Sequence, residues 1–331
     1  MVEKLLVFPS QSLGAKNAPT LGDFNLQFLV QGDSWFSTNT LKPWGVSNLL
    51  EHMKFPQRSV AINCADPGDT LAHMVEWRQD PLFFAFLAGP KEQGWHAIFL
   101  SAGGNDLIDA ISVPAISVSK VPAAPHERLL LTSTEWGGPL ASDNKYISAG
   151  GWANFANHLA LQFKALDFVR SKSQFNTTTP IFIHTYDYVT PRASPAGPGL
   201  GPWLLPALKG YQIPETDWNA VADAFIDKLA DISLSLSLPN FHVVDTRRTL
   251  TRAEALAADA SNDWENEIHP TADGYEKLAP HIVSRICTVL GIAATATPPA
   301  LAAGVLTTGV VTTASAAIKR RRRPAPSSAH A

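Results

Sequence analysis

Cysteine is nearly absent. Cys64 and Cys287 are the only two in 331 residues, too few for a disulfide framework, and both lie in apolar stretches that read as buried thiols. Charge is also scarce, at 17% of residues with a formal net charge of -3, which removes the electrostatic reason to expect a nucleic-acid partner. Lys319 and Arg320 to Arg323 supply five of the 26 Lys and Arg residues at one spot, so the rest of the chain carries a formal charge of -8. Near the start, Leu5-Leu6-Val7-Phe8 is far too short for the apolar core of a signal peptide. Cytoplasm is therefore the default expectation, with export without a cleaved signal left open. No histidine shows metal-ligand spacing, and no Gly-x-Ser-x-Gly elbow occurs.

What is present is a hydrophobic fraction of 45% arranged as alternating strands and helices. Strands are expected at 24–30, 59–64, 95–101, 180–186 and 241–245, and helices at 41–53, 71–77, 152–170, 218–232 and 273–290. Residues 1–24 read as an arm without regular structure. Five strands separated by helices predict an α/β fold, a three-layer sandwich around a five-stranded parallel sheet. The long stretches 111–148 and 191–214 lack a dependable period and read as insertions overhanging the sheet's carboxyl edge. One domain is expected over 1–292. A flexible Ala/Thr/Pro-rich tail follows at 293–331, with its basic cluster open to membrane or acidic-surface contact.

In parallel sheets, ligands bind outside the carboxyl ends of the strands. Gln31-Gly-Asp-Ser34 follows the first expected strand, with Gly32 suited to a turn conformation closed to other residues. Pro67-Gly68-Asp-Thr follows the second, Gly103-Gly-Asn105-Asp the third, and Asn262-Asp-Trp-Glu-Asn-Glu-Ile-His269-Pro lies between the fifth strand and the last helix. Ser34, Gly68, Asn105 and His269 should therefore share one edge.

These four ordered blocks resemble those of the SGNH (GDSL) hydrolase superfamily, over about residues 28–290. The resemblance implies a flavodoxin-like fold and a serine hydrolase that cleaves an acyl ester through an acyl-serine intermediate, with no cofactor and no metal. It implies Ser34 as nucleophile and His269 as base, with an oxyanion hole from the N–H groups of Ser34 and Gly68 and the amide of Asn105. An acyltransferase on the same site, or a catalytically silent binding module of this fold, are the alternatives.

Two positions depart from the family pattern. Trp35 stands where Leu is common. The usual acid position, three residues before the histidine, is Asn266, an amide that can orient an imidazole without supplying charge. Asp263 is the preferred acid. Asn266, Glu267, Glu265 and Asp245, or a dyad without an acid, remain open. Trp35, Asp187 and Trp203 are expected to line the substrate pocket, with Trp203 and Leu204 forming an acyl-chain wall.

Overall fold

A computed structural model describes residues 2–15, 18–37, 47–76, 78–117 and 119–293. The strands are β1 (Glu3–Lys4), β2 (Leu6–Pro9), β3 (Leu26–Gly32), β4 (Lys54–Phe55), β5 (Ser59–Asn63), β6 (Ala97–Ser101), β7 (Ile181–His184) and β8 (Phe241–Val244). Six of them form one parallel sheet in the order β2-β5-β3-β6-β7-β8. The short β1 and β4 make a separate antiparallel pair.

The sheet thus has six strands where the sequence predicts five. The additional strand is β2, inside the stretch expected to be an arm. Its Leu6 to Pro9 pair with Val60 to Asn63. Leu6 and Pro9 are exposed and Val7 and Phe8 half-buried. The apolar run here, Leu5 to Phe8, is short and ends at Pro9 in a stretch otherwise without a period, and as an edge strand β2 is only half-buried, unlike the fully buried β6.

The helices are α1 (Ser34–Ser37), α2 (Leu71–Val75), α3 (Pro81–Ala88), α4 (Gly104–Ile111), α5 (Ala149–Ser171), α6 (Leu205–Gly210), α7 (Trp218–Ser235) and α8 (Ala272–Leu290). Helices α2, α3 and α7 pack against α5, while α8 packs against Leu49–His52 and β8. The helix expected at 41–53 is instead a 3-10 turn at Leu49–His52, and 38–46 lie outside the described residues. Helices α2, α5, α7 and α8 agree with expectation to within a few residues, whereas α1, α3, α4 and α6 are additional. Side-chain caps define several starts: Asp80 accepts from Phe83 N at 3.0 Å, Ser148 from Gly151 N at 3.0 Å and Thr271 from Gly274 N at 3.1 Å. Gly291, at φ 67°, closes α8.

The insertion at 111–148 is anchored to the core at a few points while much of it stays exposed. Leu129, Leu130, Leu131, Tyr146 and Ile147 are buried, and Arg128 is paired with Glu135 at 2.7 Å. The second insertion contains α6. Both cysteines are buried free thiols. Residue 293 ends the described chain, so the expected tail beyond it lies outside the described residues. No helix among the described residues is long and apolar enough to cross a membrane.

Strand order decides where the site lies. From β3 the chain next adds β5 on one side and then β6 on the other. That reversal opens a crevice at the carboxyl ends of β3 and β6.

Candidate active site

Ser34 begins α1, two residues past the end of β3, and Asn105 lies in the first turn of α4, just past β6. Both therefore border the crevice. Gly32 is required there for a reason other than turn geometry. A Cβ on it would lie 2.8 Å from Ser101 Cβ and 2.9 Å from Ser101 O, so the close approach of β3 and β6 excludes a side chain. Gly68, on the turn after β5, has φ 87°, a backbone conformation that favours glycine.

His269 reaches the same edge from the loop before α8. Its Nε2 lies 2.8 Å from Ser34 Oγ, and its Nδ1 lies 2.9 Å from Asn266 Oδ1. The Asn266 oxygen is oriented by two further donors, Ile268 N at 3.1 Å and His269 N at 3.0 Å. An amide oxygen only accepts, so Nδ1 carries the proton and Nε2 presents its lone pair to the Ser34 hydroxyl. Burial pushes the His269 imidazole down to about 4.

The preference for Asp263 does not hold geometrically. Its carboxylate accepts from Lys277 Nζ at 2.6 Å and from Thr251 N at 2.7 Å, which pins the start of the loop to α8. Glu265 is exposed. Asp245 is exposed and paired with Arg247 at 2.6 Å.

Glu267 is buried and accepts from Leu204 N and Leu205 N at 2.9 Å, from Arg192 N at 3.2 Å, and from Trp203 N. Burial still raises its carboxyl above the usual range. It anchors the 203–205 segment rather than the imidazole. Side-chain spacing cannot reveal this, because the partners are backbone groups more than sixty residues away.

Among the described residues, the backbone N–H groups of Ser34 and Gly68 meet no acceptor. Asn105 Nδ2 donates to Asp69 O at 3.0 Å, which orients the amide while its second N–H stays available.

An apolar slot of about 50 Å³ opens beside Ser34 and Asn105, lined by Trp35, Ile108, Val189, Leu204, Phe225 and Leu229 among others. Trp35 lines it as expected, and is also held by its Nε1 donating to Ile268 O at 3.2 Å and by stacking on His184. Asp187 does not line it. Its buried carboxylate accepts from Tyr188, Arg248, Thr249 and Leu250 N–H groups at 2.7–2.8 Å, which closes a loop. Trp203 lies outside the slot, edge-on to the His269 ring with centroids 5.4 Å apart.

In the segment His184 to Asp187, which ends a strand at the active edge and is a sequence candidate for the pocket, Tyr186 rather than Asp187 is the lining residue, and further side chains support the site. Tyr186 lines the slot and bonds Asp33, whose fully buried carboxyl is pushed up to about 6. Asp33 also accepts from Ser101 Oγ at 2.7 Å, and His184 Nε2 lies 3.1 Å from that hydroxyl. Arg192 donates to Asn266 O at 2.8 Å and Trp264 O at 3.3 Å, bracing the histidine loop. The apolar residues of α7 that wall the slot look in sequence like any amphipathic helix. Among the described residues, no cluster of three metal-ligating side chains occurs.

The sequence matches no protein-family model and no curated protein. Among solved structures it is similar to an extracellular lipase from Streptomyces rimosus (14% identity, TM-score 0.42, 78% of this chain and 99% of that one). It is also similar to an acetyl xylan esterase from Geobacillus stearothermophilus (15%, 0.37, 79% and 94%) and to an Arabidopsis thaliana protein (11%, 0.40, 80% and 98%). All three likenesses are distant.

Proposed function

We propose that the protein is a serine esterase of the SGNH type, with Ser34 as nucleophile, His269 as general base and Asn266 as the residue that positions the base. The observation that carries this is the continuous line from Ser34 Oγ to His269 Nε2 at 2.8 Å and from His269 Nδ1 to Asn266 Oδ1 at 2.9 Å. A serine hydroxyl is a weak nucleophile until a neighbouring base accepts its proton.

Ser34 Oγ attacks the ester carbonyl carbon while its proton passes to His269 Nε2. The carbonyl π-electrons move to oxygen, and the N–H groups of Ser34 and Gly68 and the Asn105 amide receive that oxyanion. When the tetrahedral intermediate collapses, the ester C–O bond breaks, and Nε2–H protonates the departing alkoxide. Water then enters, gives a proton to Nε2 and attacks the acyl-serine. Collapse of the second intermediate releases the acid and returns the proton to Ser34.

Asn266 serves because of how it is held. An amide replacing a triad acid commonly turns its N–H toward the ring and enforces the wrong tautomer. Here the N–H groups of residues 268 and 269 require its oxygen on that side. The imidazolium formed in each step nevertheless lacks a carboxylate partner.

Labelling of the purified chain with a fluorophosphonate probe tests the reading. Wild type should label and hydrolyse short-chain esters, and Ser34→Ala should do neither while keeping its circular dichroism spectrum. A wild-type serine that fails to label would support a silent binding module instead.

A further inference from the structure

Three neighbouring strand ends place a second set of titratable groups beside Ser34. The parallel register sets Gly32 opposite Ser101 and Leu100 opposite Ile183, so Asp33, Ser101 and His184 form a row at the carboxyl ends of β3, β6 and β7. Asp33 Oδ1 lies 2.7 Å from Ser101 Oγ, Ser101 Oγ lies 3.1 Å from His184 Nε2, and His184 Nδ1 lies 2.9 Å from Thr185 O. All three side chains are buried.

The hydrogens of this row decide its charge. Thr185 O only accepts, so Nδ1 carries a proton. Ser101 has a single hydroxyl hydrogen, and it stands between two acceptors whenever Asp33 is ionised and His184 neutral. One of its contacts would then set acceptor against acceptor, in an interior where an unmade bond costs most. A single added proton completes the row. On Asp33 it is donated to Ser101 Oγ, and the hydroxyl hydrogen goes to Nε2. On Nε2 it is donated to Ser101 Oγ, and the hydroxyl hydrogen goes to the carboxylate. Both arrangements have zero net charge.

Taking Ser34 and His269 as the hydrolytic pair, we propose that Asp33 and His184 share one proton through Ser101, and that this neutral pair positions both the nucleophile and the base. The link to Ser34 is local. Asp33 Oδ1 accepts from Trp35 N at 3.0 Å and Asp33 O from Ser37 Oγ at 2.9 Å, which closes a turn with Ser34 inside it. The link to the base runs through the same tryptophan, whose indole stacks on the His184 ring and donates to Ile268 O, next to His269. Loss of the shared proton leaves an uncompensated carboxylate one residue from the Ser34 N–H that receives the oxyanion. The groups facing the row supply no countercharge: Tyr186 donates to Asp33 Oδ2, Tyr275 on α8 brings a buried hydroxyl, and Asp106 on α4 brings a carboxylate. Burial acts on both ends to keep the proton on the carboxyl, pushing Asp33 up to about 6 and His184 down to about 4.

The test follows two readouts of the full chain against pH: the His184 ring nitrogens by NMR of 15N-histidine protein, assigned with His184→Gln, and the rate of fluorophosphonate labelling of Ser34. In wild type the His184 shifts should move in one step as the shared proton leaves with rising pH, and labelling should slow at least about tenfold through that step. Asp33→Asn offers Ser101 an amide donor that does not titrate, so the step should vanish from both readouts. Ser101→Ala keeps the Cβ that packs on Gly32 but removes the bridge, and the His184 step should vanish there too. His184 shifts that match wild type at every pH in either folded variant overturn the sharing. Labelling that stays level through a His184 step overturns the positioning role. If wild-type Ser34 never labels while the His184 step responds to Asp33→Asn, the hydrolytic reading fails and the shared proton holds. If Ser34 labels and the His184 shifts ignore Asp33, the shared proton alone fails.

Discussion

Asn266 and His269 are joined twice over three residues: the Asn266 oxygen accepts both the backbone N–H and the Nδ1–H of His269, at 3.0 and 2.9 Å. The side chain that shapes the loop therefore also sets the tautomer of the proposed base. Asn266→Ala should lower kcat about 10- to 100-fold, corresponding to loss of a hydrogen bond to a charged group of ~1.5–3 kcal/mol. Asn266→Asp should instead raise kcat at neutral pH, because a carboxylate stabilises the imidazolium. Steady-state kinetics on one short-chain ester decides both, and unchanged kcat in Asn266→Ala would remove Asn266 from the mechanism.

The pH profile follows from burial. His269 must be neutral to accept the serine proton, and burial pushes it down to about 4. A lowered pKa keeps the neutral form at lower pH, so the acidic limb of kcat/KM should fall near pH 4 rather than near the ordinary histidine value. In Asn266→Asp the limb should move upward by about 1–3 units, since an adjacent opposite charge favours the protonated ring. An inflection near pH 6 would report Asp33, pushed up to about 6. Only the His269 limb should respond to Asn266→Asp. A wild-type limb at the ordinary histidine value would contradict the burial argument.

Asp263→Asn separates position in sequence from position in space. Its carboxylate holds Lys277 and Thr251 N rather than His269. Turnover should stay close to wild type, while stability falls by ~1–2 kcal/mol, since Lys277 is half-exposed. Urea denaturation alongside kinetics reads both, and a collapse of kcat with intact stability would return Asp263 to the histidine.

Glu267→Gln should destabilise the protein by roughly 2 kcal/mol or more, because the oxygen replaced by an amide NH2 leaves two of the four bound N–H groups facing a donor. It should also raise KM more than it lowers kcat, as the 203–205 segment that carries Leu204 loosens while the Asn266–His269 contact stays. A selective loss of kcat would mean that Glu267 acts on the imidazole after all.

Much of this was legible in the chain itself. Inner strands buried on both faces must be largely apolar runs, so β3, β5, β6 and β7 are visible as such, and the edge strand β8 is visible through the β-branched run Val243-Val244 between two loops. Their alternation with helices forces a parallel sheet, and that sheet brings the segments holding Ser34, Gly68 and Asn105 to one edge. The edge strand β2 lies in a stretch punctuated by Pro and Gly, with no α-helix between it and the next strand to mark a repeat, so its short apolar run does not stand out.

Spacing could not decide which neighbour of His269 faces its ring. Asp263, Glu265, Asn266 and Glu267 all lie within six residues, and each is chemically able to orient an imidazole. The choice depends on where distant groups lie. Lys277 on α8 draws Asp263 away, the N–H groups of 203–205 take Glu267, and Arg192 grips the Asn266 carbonyl. That Leu204 lines the slot and Trp203 does not has the same origin. Local sequence determined the strands and the four blocks, because backbone periodicity and turn chemistry are local. Only the tertiary structure decided the histidine's partner and the walls around it, because those depend on hydrogen bonds between segments far apart in the chain.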